Sequence, residues 1–214
     1  MGSGCFLALE GIEGSGKSTQ TPILAARLKA EGHDVVLVRE PGGTPFAEQM
    51  RELVLHHPYE LTPASELFLY QAARSDLTTR VIRPALAAGK LVLADRYELS
   101  TRCYQGAGRG LPAELVRAAI ELATGGLQPD IYIVLDVPVE SMRQRQRSEG
   151  KALDKLERAD DGFHERVATA FRTVRGANVK HVDGSRPADA VAESIWQAVA
   201  PIIGATHRSA GRPG

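Results

Sequence analysis

Residues 5–19 read CFLALEGIEGSGKST, and the fold follows from this stretch. The first six residues form a short apolar run of strand length. Gly11-Ile12-Glu13-Gly14-Ser15-Gly16-Lys17-Ser18 then fills the pattern glycine, any four residues, glycine, lysine, serine or threonine. A helix-compatible segment starts at Lys17. A strand before and a helix after this pattern are the context that gives it chemical meaning. Its glycines let successive backbone N–H groups turn toward one anion, and the helix N-terminus adds a positive dipole. Lys17 is placed to bridge β- and γ-phosphates, and Ser18 to ligate Mg²⁺. Residues Gly11, Ile12, Glu13, Gly14, Ser15, Gly16, Lys17, Ser18 and Thr19 are therefore the expected cradle of a nucleoside triphosphate.

Outward from this stretch, short apolar runs alternate with helical patterns. Residues 5–10, 35–39, 91–94, 131–135 and 179–182 read as strands, and their nearly continuous apolar character suits a parallel sheet buried on both faces. Helices are expected over 17–31, 45–56, 64–88, 112–123, 139–148, 161–174 and 188–203. Gly32 and Gly89 stop two of them, Pro112 starts one, and Pro84 should kink or divide the third. Alternating strands and helices imply right-handed βαβ units, and so a three-layer α/β/α sandwich. The chain reads as one domain over 1–214, with residues 204–214, polar and glycine-rich, as a flexible tail.

Composition narrows the function classes. Lysine plus arginine equals aspartate plus glutamate at 26 each, which speaks against a protein that grips a nucleic-acid backbone. No apolar run nears the ~18 residues of a membrane span, and no leader opens the chain. The two cysteines, Cys5 and Cys103, lie in separate segments and read as reduced thiols, so a cytoplasmic location is expected. The six histidines show no zinc-type spacing.

Two further polar sets stand at strand ends: Arg39-Glu40-Pro41-Gly42-Gly43-Thr44 after the second strand and Asp95-Arg96-Tyr97 after the third. Ligands of open α/β sheets bind outside the carboxyl ends of the strands. Asp95 is placed to hold Mg²⁺ and Arg96 to grip a phosphate as a planar fork. Tyr70 and Arg74, four residues apart, share one helix face and make a candidate base reader. The run Ser100-Thr101-Arg102-Cys103-Tyr104-Gln105-Gly106-Ala107-Gly108-Arg109-Gly110 is rich in donors and glycine. The sole asparagine, Asn178, precedes Val179, so the Asn-Lys-x-Asp guanine reader of GTPases is absent. A small-molecule kinase fits the size better than a motor.

These residues resemble the thymidylate kinase family, bacterial type with lid arginines. The matching stretches are LEGIEGSGKST (9–19), REPGGT (39–44), AAR (72–74), DRY (95–97), STRCYQGAGRG (100–110), QPD (128–130) and LDKLE (153–157). The resemblance implies transfer of the ATP γ-phosphoryl group to dTMP with Mg²⁺, a five-stranded sheet ordered 2-3-1-4-5, a helical lid and a homodimer. It also implies that Tyr70 stacks on thymine and Arg74 donates to thymine O4. Arg51 and Arg96 hold the acceptor phosphate, Tyr104 sits near C2′, and Gln105 with Ser100 or Thr101 completes the sugar and base contacts. Thr101 replaces an asparagine seen in some relatives. Glu13 faces the sugar or the metal shell, and Glu40 and Pro41 shape the acceptor side.

The phosphate loop carries no arginine, so the positive charge of the lid-arginine subtype is expected from Met142-Arg143-Gln144-Arg145-Gln146-Arg147 within a lid at about 142–155. Arg143 and Arg147 share one helical face and are the expected catalytic pair beside Lys17 and Arg96, with Arg145 and Lys151 in reserve. Lys155 stands where arginine is usual, and Asp154 and Glu157 have orienting or capping roles open to them. A kinase for another nucleotide or a deoxynucleoside, or a sensing module without chemistry, are the rival readings. Intact Lys17, Ser18, Asp95 and Arg96 argue against the second.

Overall fold

The computed structural model describes residues 4–149, 156 and 158–210. Strands β1 (Cys5–Glu10), β2 (Val35–Arg39), β3 (Leu91–Asp95), β4 (Ile131–Asp136) and β5 (Val179–Asp183) form one parallel sheet in the order β2-β3-β1-β4-β5. All six residues of β1 are buried, as its central place demands, while the edge strands β2 and β5 are partly exposed.

Alternation along the strands sorts side chains into two cores. Leu7 and Leu9 of β1, with Leu93 and Ile133, face Leu24 and Leu28 of helix α1 (Lys17–Ala30) and Ile195 and Val199 of α9 (Ala188–Ala210). Phe6 and Ala8, with Val92 and Val134, face the other way, against Leu77, Phe163, Val167 and Phe171. Each fully buried side chain of this size contributes roughly 1.5–3 kcal/mol.

On that second side lie α2 (Pro45–His56), α3 (Pro63–Leu77), α4 (Arg83–Ala87), α5 (Glu98–Thr101), α6 (Ala113–Thr124) and α8 (Asp161–Thr173); α7 (Val139–Glu149) follows β4. Thr44 caps α2 by accepting the Ala47 N–H at 3.0 Å, with Pro45 opening the first turn, and Asp160 caps α8 by accepting from Phe163 at 2.8 Å. The helix expected over 64–88 divides ahead of Pro84. A π-helical turn, Thr78–Ile82, separates α3 from α4, and the Arg83 N–H reaches back five residues to the Thr78 carbonyl. This wider turn absorbs the proline, which lacks an N–H. The run after α5 is also π-helical, Arg102–Gly108, and packs so closely on α8 that a Cβ on Gly108 would lie 2.6 Å from the Phe163 ring.

Helix α9 continues to Ala210, past the expected end at 203, so the stretch read as a tail is helical to that point. Residues 211–214 lie outside the described residues, as do 150–155 of the expected lid and residue 157 beyond it, and with them Lys151, Asp154, Lys155 and Glu157.

The register positions the site. Leu9 pairs with Asp95, and Asp95 with Arg39, so three neighbouring strands end at one level. Glu10-Gly11, Glu40-Pro41 and Arg96-Tyr97 leave the sheet side by side.

Candidate active site

A cavity of about 490 Å³ opens over these strand ends. One end is lined by Glu13 through Gln20, the other by Tyr70, Arg74, Thr101 and Gln105, with Asp95 and Arg96 between. Glu40, Pro41, Arg51, Ser100 and Tyr104 complete the wall. Of the expected cradle, Gly11 and Ile12 sit beneath the lining and act through their carbonyls. The Lys17 ammonium donates to Gly11 O at 2.9 Å, Ile12 O at 2.8 Å and Ser15 Oγ at 3.1 Å. Gly11 has φ 137°, and a Cβ there would fall 2.6 Å from Leu135 O, so only glycine fits. Burial, aided by the nearby Arg96 charge, lowers Lys17 to a pKa of about 8. Ser18 and Thr19 are exposed at the start of α1.

Arg96 adopts φ 72°, the left-handed region, which aims its guanidinium back toward the cradle. It donates to Gly11 O at 2.8 Å, Ser100 Oγ at 3.2 Å and Glu13 Oε1 at 3.1 Å. The Tyr104 hydroxyl donates to the other Glu13 oxygen at 2.6 Å. Burial pushes the Glu13 carboxyl up, but Arg96, Lys17 and that hydroxyl outweigh it and hold it below the usual carboxylate range. Burial also opposes the charge on Arg96, and Tyr104, Glu13 and Asp95 outweigh it, keeping the guanidinium charged.

Glu10, at the end of β1, is a residue the sequence reading passed over. Its carboxyl is wholly buried and accepts from Tyr97 N at 2.8 Å, Ser100 N at 3.3 Å and Ser100 Oγ at 2.6 Å. It ties down the first turn of α5, and through Ser100 the Arg96 guanidinium. Burial drives its pKa up to about 7 against the pull of Ser100 and Arg96.

At the far end, Tyr70 and Arg74 share a helix face as expected and both line the cavity, but Arg74 is not a free donor. Its five N–H groups all meet protein acceptors: Glu40 Oε2 twice (2.8 and 2.5 Å), Gln71 Oε1 at 3.1 Å, Thr101 Oγ1 at 2.8 Å and Tyr97 O at 2.9 Å. Burial opposes its charge, and Glu40 more than restores it. Burial equally raises Glu40 above the usual carboxylate range despite the ion pair. Arg74 thus stands at the base end of the cavity as a buried strut between Glu40, Gln71, Tyr97 and Thr101. Thr101 Oγ1 accepts from both Arg74 and Gln71 (3.2 Å), which uses its lone pairs and leaves its hydroxyl hydrogen to donate elsewhere. Gln105 lines the cavity with its amide nitrogen on Glu66 Oε1 at 2.8 Å. Arg51 donates to Pro41 O at 2.8 Å.

The expected arginine pair of α7 is not brought to the cavity. Arg143 pairs with Asp161, Arg147 is exposed, and neither lines the cavity. Arg145 does: it donates to Gly14 O at 2.7 Å and Gly184 O at 2.9 Å. At ~100° per residue, positions two apart fall on opposite helix faces, so the turn that seats Arg145 carries its neighbours away. Arg186, absent from the sequence reading, also lines the cavity. No helix among the described residues is long and apolar enough to cross a membrane.

Comparison with known proteins gives concordant matches. The family model described as thymidylate kinase matches residues 9–195. A thymidylate kinase of Deinococcus radiodurans is 45% identical over 202 residues, covering 93% of this chain and 98% of that protein. One from Thermomicrobium roseum is 41% identical over 207 residues, covering 95% and 98%. A crystal structure of thymidylate kinase from Ehrlichia chaffeensis aligns with a TM-score of 0.74 at 29% identity, covering 92% of this chain and 99% of that one.

Proposed function

The chain belongs to the thymidylate kinase family, and on that premise we propose how its own residues carry the γ-phosphoryl group of ATP to dTMP, giving dTDP and ADP. One observation supports the reading above the others: a single cavity joins the cradle of Glu13–Thr19 to Tyr70 and Gln105, with Arg96 lodged between its two ends.

The triphosphate lies on the backbone N–H groups of the cradle, where Lys17 meets its β- and γ-oxygens. The dTMP phosphate lies against Arg96 and Arg51, its thymine under the Tyr70 ring, its sugar beside Tyr104. The Thr101 hydroxyl and the Gln105 carbonyl address the base. A phosphate oxygen of dTMP is ionised at neutral pH, so no strong general base is needed and positioning dominates. Arg96 and Arg145 spread positive charge over the transferred group; Arg145 of α7 takes the part of the missing loop arginine. Glu13 fixes the Arg96 fork and neutralises it until phosphate arrives.

Mg²⁺ fits the donor set. Ser18 and Asp95 offer a hydroxyl and a carboxylate to the cavity, and no cluster of three or more histidine, cysteine or carboxylate groups among the described residues could hold a metal unaided. A divalent ion here depends on nucleotide and water oxygens, the habit of Mg²⁺. Ser18 and Asp95 would hold the ion, which would supply positive charge against the phosphates.

The homodimer has support in an apolar surface: Phe46 of α2, Phe68 of α3, and Leu115 and Leu122 of α6 are 44%, 66%, 59% and 86% exposed on helices packed side by side. Free, buried Cys5 and Cys103 suit a reducing cytoplasm, and the balanced charge leaves no nucleic-acid partner in view.

The test follows ADP release with dTMP, dUMP, dCMP, dGMP and thymidine as acceptors. dTMP is the expected preferred acceptor, and Lys17→Ala should cut turnover about 10²–10⁴-fold with the fold intact. Preference for thymidine, or near-normal turnover of the variant, would refute the assignment.

A further inference from the structure

We propose that Glu66 is a positioning residue for base selection: through the amide of Gln105 it decides which nucleobase edge the cavity accepts. This rests on the reading that thymine lies between Tyr70 and Gln105.

Glu66 stands in the first turn of α3 and is only 5% exposed. Its Oε1 accepts from Gln105 Nε2 at 2.8 Å and from Arg109 Nε at 3.2 Å, and its Oε2 accepts from Arg109 Nη2 at 3.0 Å. A carboxylate has acceptors only, so the amide NH₂ of Gln105 must face it. Turning that amide over would set a carbonyl oxygen against the carboxylate, in a place closed to solvent. The other end of the amide is thereby fixed as a carbonyl oxygen, which accepts from no group among the described residues and belongs to a side chain that lines the cavity. Gln105 is 1% exposed, so its orientation is set by these neighbours and not by water.

The consequence is chemical. Thymine and uracil carry N3–H, a donor that this carbonyl satisfies. Cytosine carries a bare lone pair at N3, which would face the carbonyl acceptor to acceptor. The Gln105 carbonyl thus tests the N3 edge of the base, and Glu66 holds it in that state.

Glu66→Gln keeps the shape and supplies both a donor and an acceptor, so the Gln105 amide can turn. The readout is kcat/KM for dTMP, dCMP and dUMP. The dTMP:dCMP ratio should fall about tenfold or more, chiefly through a gain with dCMP, because a mismatched buried hydrogen-bonding group is relieved. The dTMP:dUMP ratio should hold, since both bases carry N3–H. Arg109→Lys, which loosens the fork but leaves the carboxylate, should leave the dTMP:dCMP ratio within about twofold.

A Glu66→Gln enzyme that loses dTMP and dCMP activity in proportion would overturn the proposal, because that is the signature of a merely structural residue. If this variant fails to fold, a crystal structure of the unaltered enzyme with dTMP decides. Gln105 Oε1 within about 3.2 Å of thymine N3, with Nε2 on Glu66, sustains the proposal, and an amide remote from the ring overturns it. An unaltered enzyme that ignores dTMP would instead refute the underlying reading of the cavity.

Discussion

Replacing Glu10 by glutamine removes one titratable group from the floor of the site and leaves its shape almost unchanged. In the folded protein the Glu10 carboxyl has a pKa of about 7, against 4.5 as its ordinary value, because burial disfavours its charge. The folded state therefore holds a proton that the unfolded chain has already released throughout that window. A folded-state pKa above the unfolded one stabilises fully below the lower value and loses that contribution as pH rises through the higher. Each pH unit between the two is worth about 1.4 kcal/mol, so the wild type should lose about 3 kcal/mol from this one group. Glu10→Gln cannot titrate and should lack that slope. The assay is urea unfolding of both proteins at intervals from about pH 4 to pH 8, followed by circular dichroism and by fluorescence of the single tryptophan, Trp196. The stability advantage of the wild type over the variant should shrink by about 3 kcal/mol across the range, other carboxylates cancelling in the comparison. Parallel profiles would refute the reasoning, since Glu10 would then be no harder to ionise in the fold than outside it. The same variant should raise KM for dTMP about three- to tenfold with a smaller change in kcat, because Ser100 loses the acceptor that steadies it under Arg96.

Arg145→Ala should reduce kcat about 10²-fold or more, while Arg143→Ala and Arg147→Ala change it only a few-fold; steady-state kinetics of the three decides which face of α7 serves the chemistry, and the reverse order would unseat Arg145. Gly11→Ala forces a Cβ to within 2.6 Å of a backbone carbonyl at φ 137°, so thermal unfolding should show a loss of about 2 kcal/mol or more; an unchanged Tm would contradict the crowding. Phe68→Glu with Leu122→Glu should turn a dimer into a monomer by light scattering, and a dimer that survives both changes must use another face.

Strands and cradle were legible because their determinants are local. Cys5–Leu9 is apolar at every position, and the glycines after Glu10 leave few other conformations, so the first strand, the turn and the start of α1 fall where the sequence puts them. Thr44-Pro45 announces α2 in the same way. The polar side chains at the site were legible as a group but not in their partners, because partners come from distant strands and helices. Arg74 has the right type and spacing for a base reader, yet Glu40, 34 residues away, and Thr101 consume its donors. Glu10 looked like one more residue of an apolar strand; its meaning lies in α5, some 90 residues on. Choosing among Arg143, Arg145 and Arg147 required the rotation of α7 about its axis, which packing sets. The two π-helical turns carry no pattern that distinguishes them from α-helix by period alone.

Arg96 sits in a backbone conformation that costs an arginine of order 1 kcal/mol and a glycine almost nothing. The strain and the ion pair come together: exchange for glycine would relax the backbone but leave the Glu13 carboxylate without its guanidinium and the Gly11 carbonyl without its donor, so the chain would gain neither stability nor grip on phosphate.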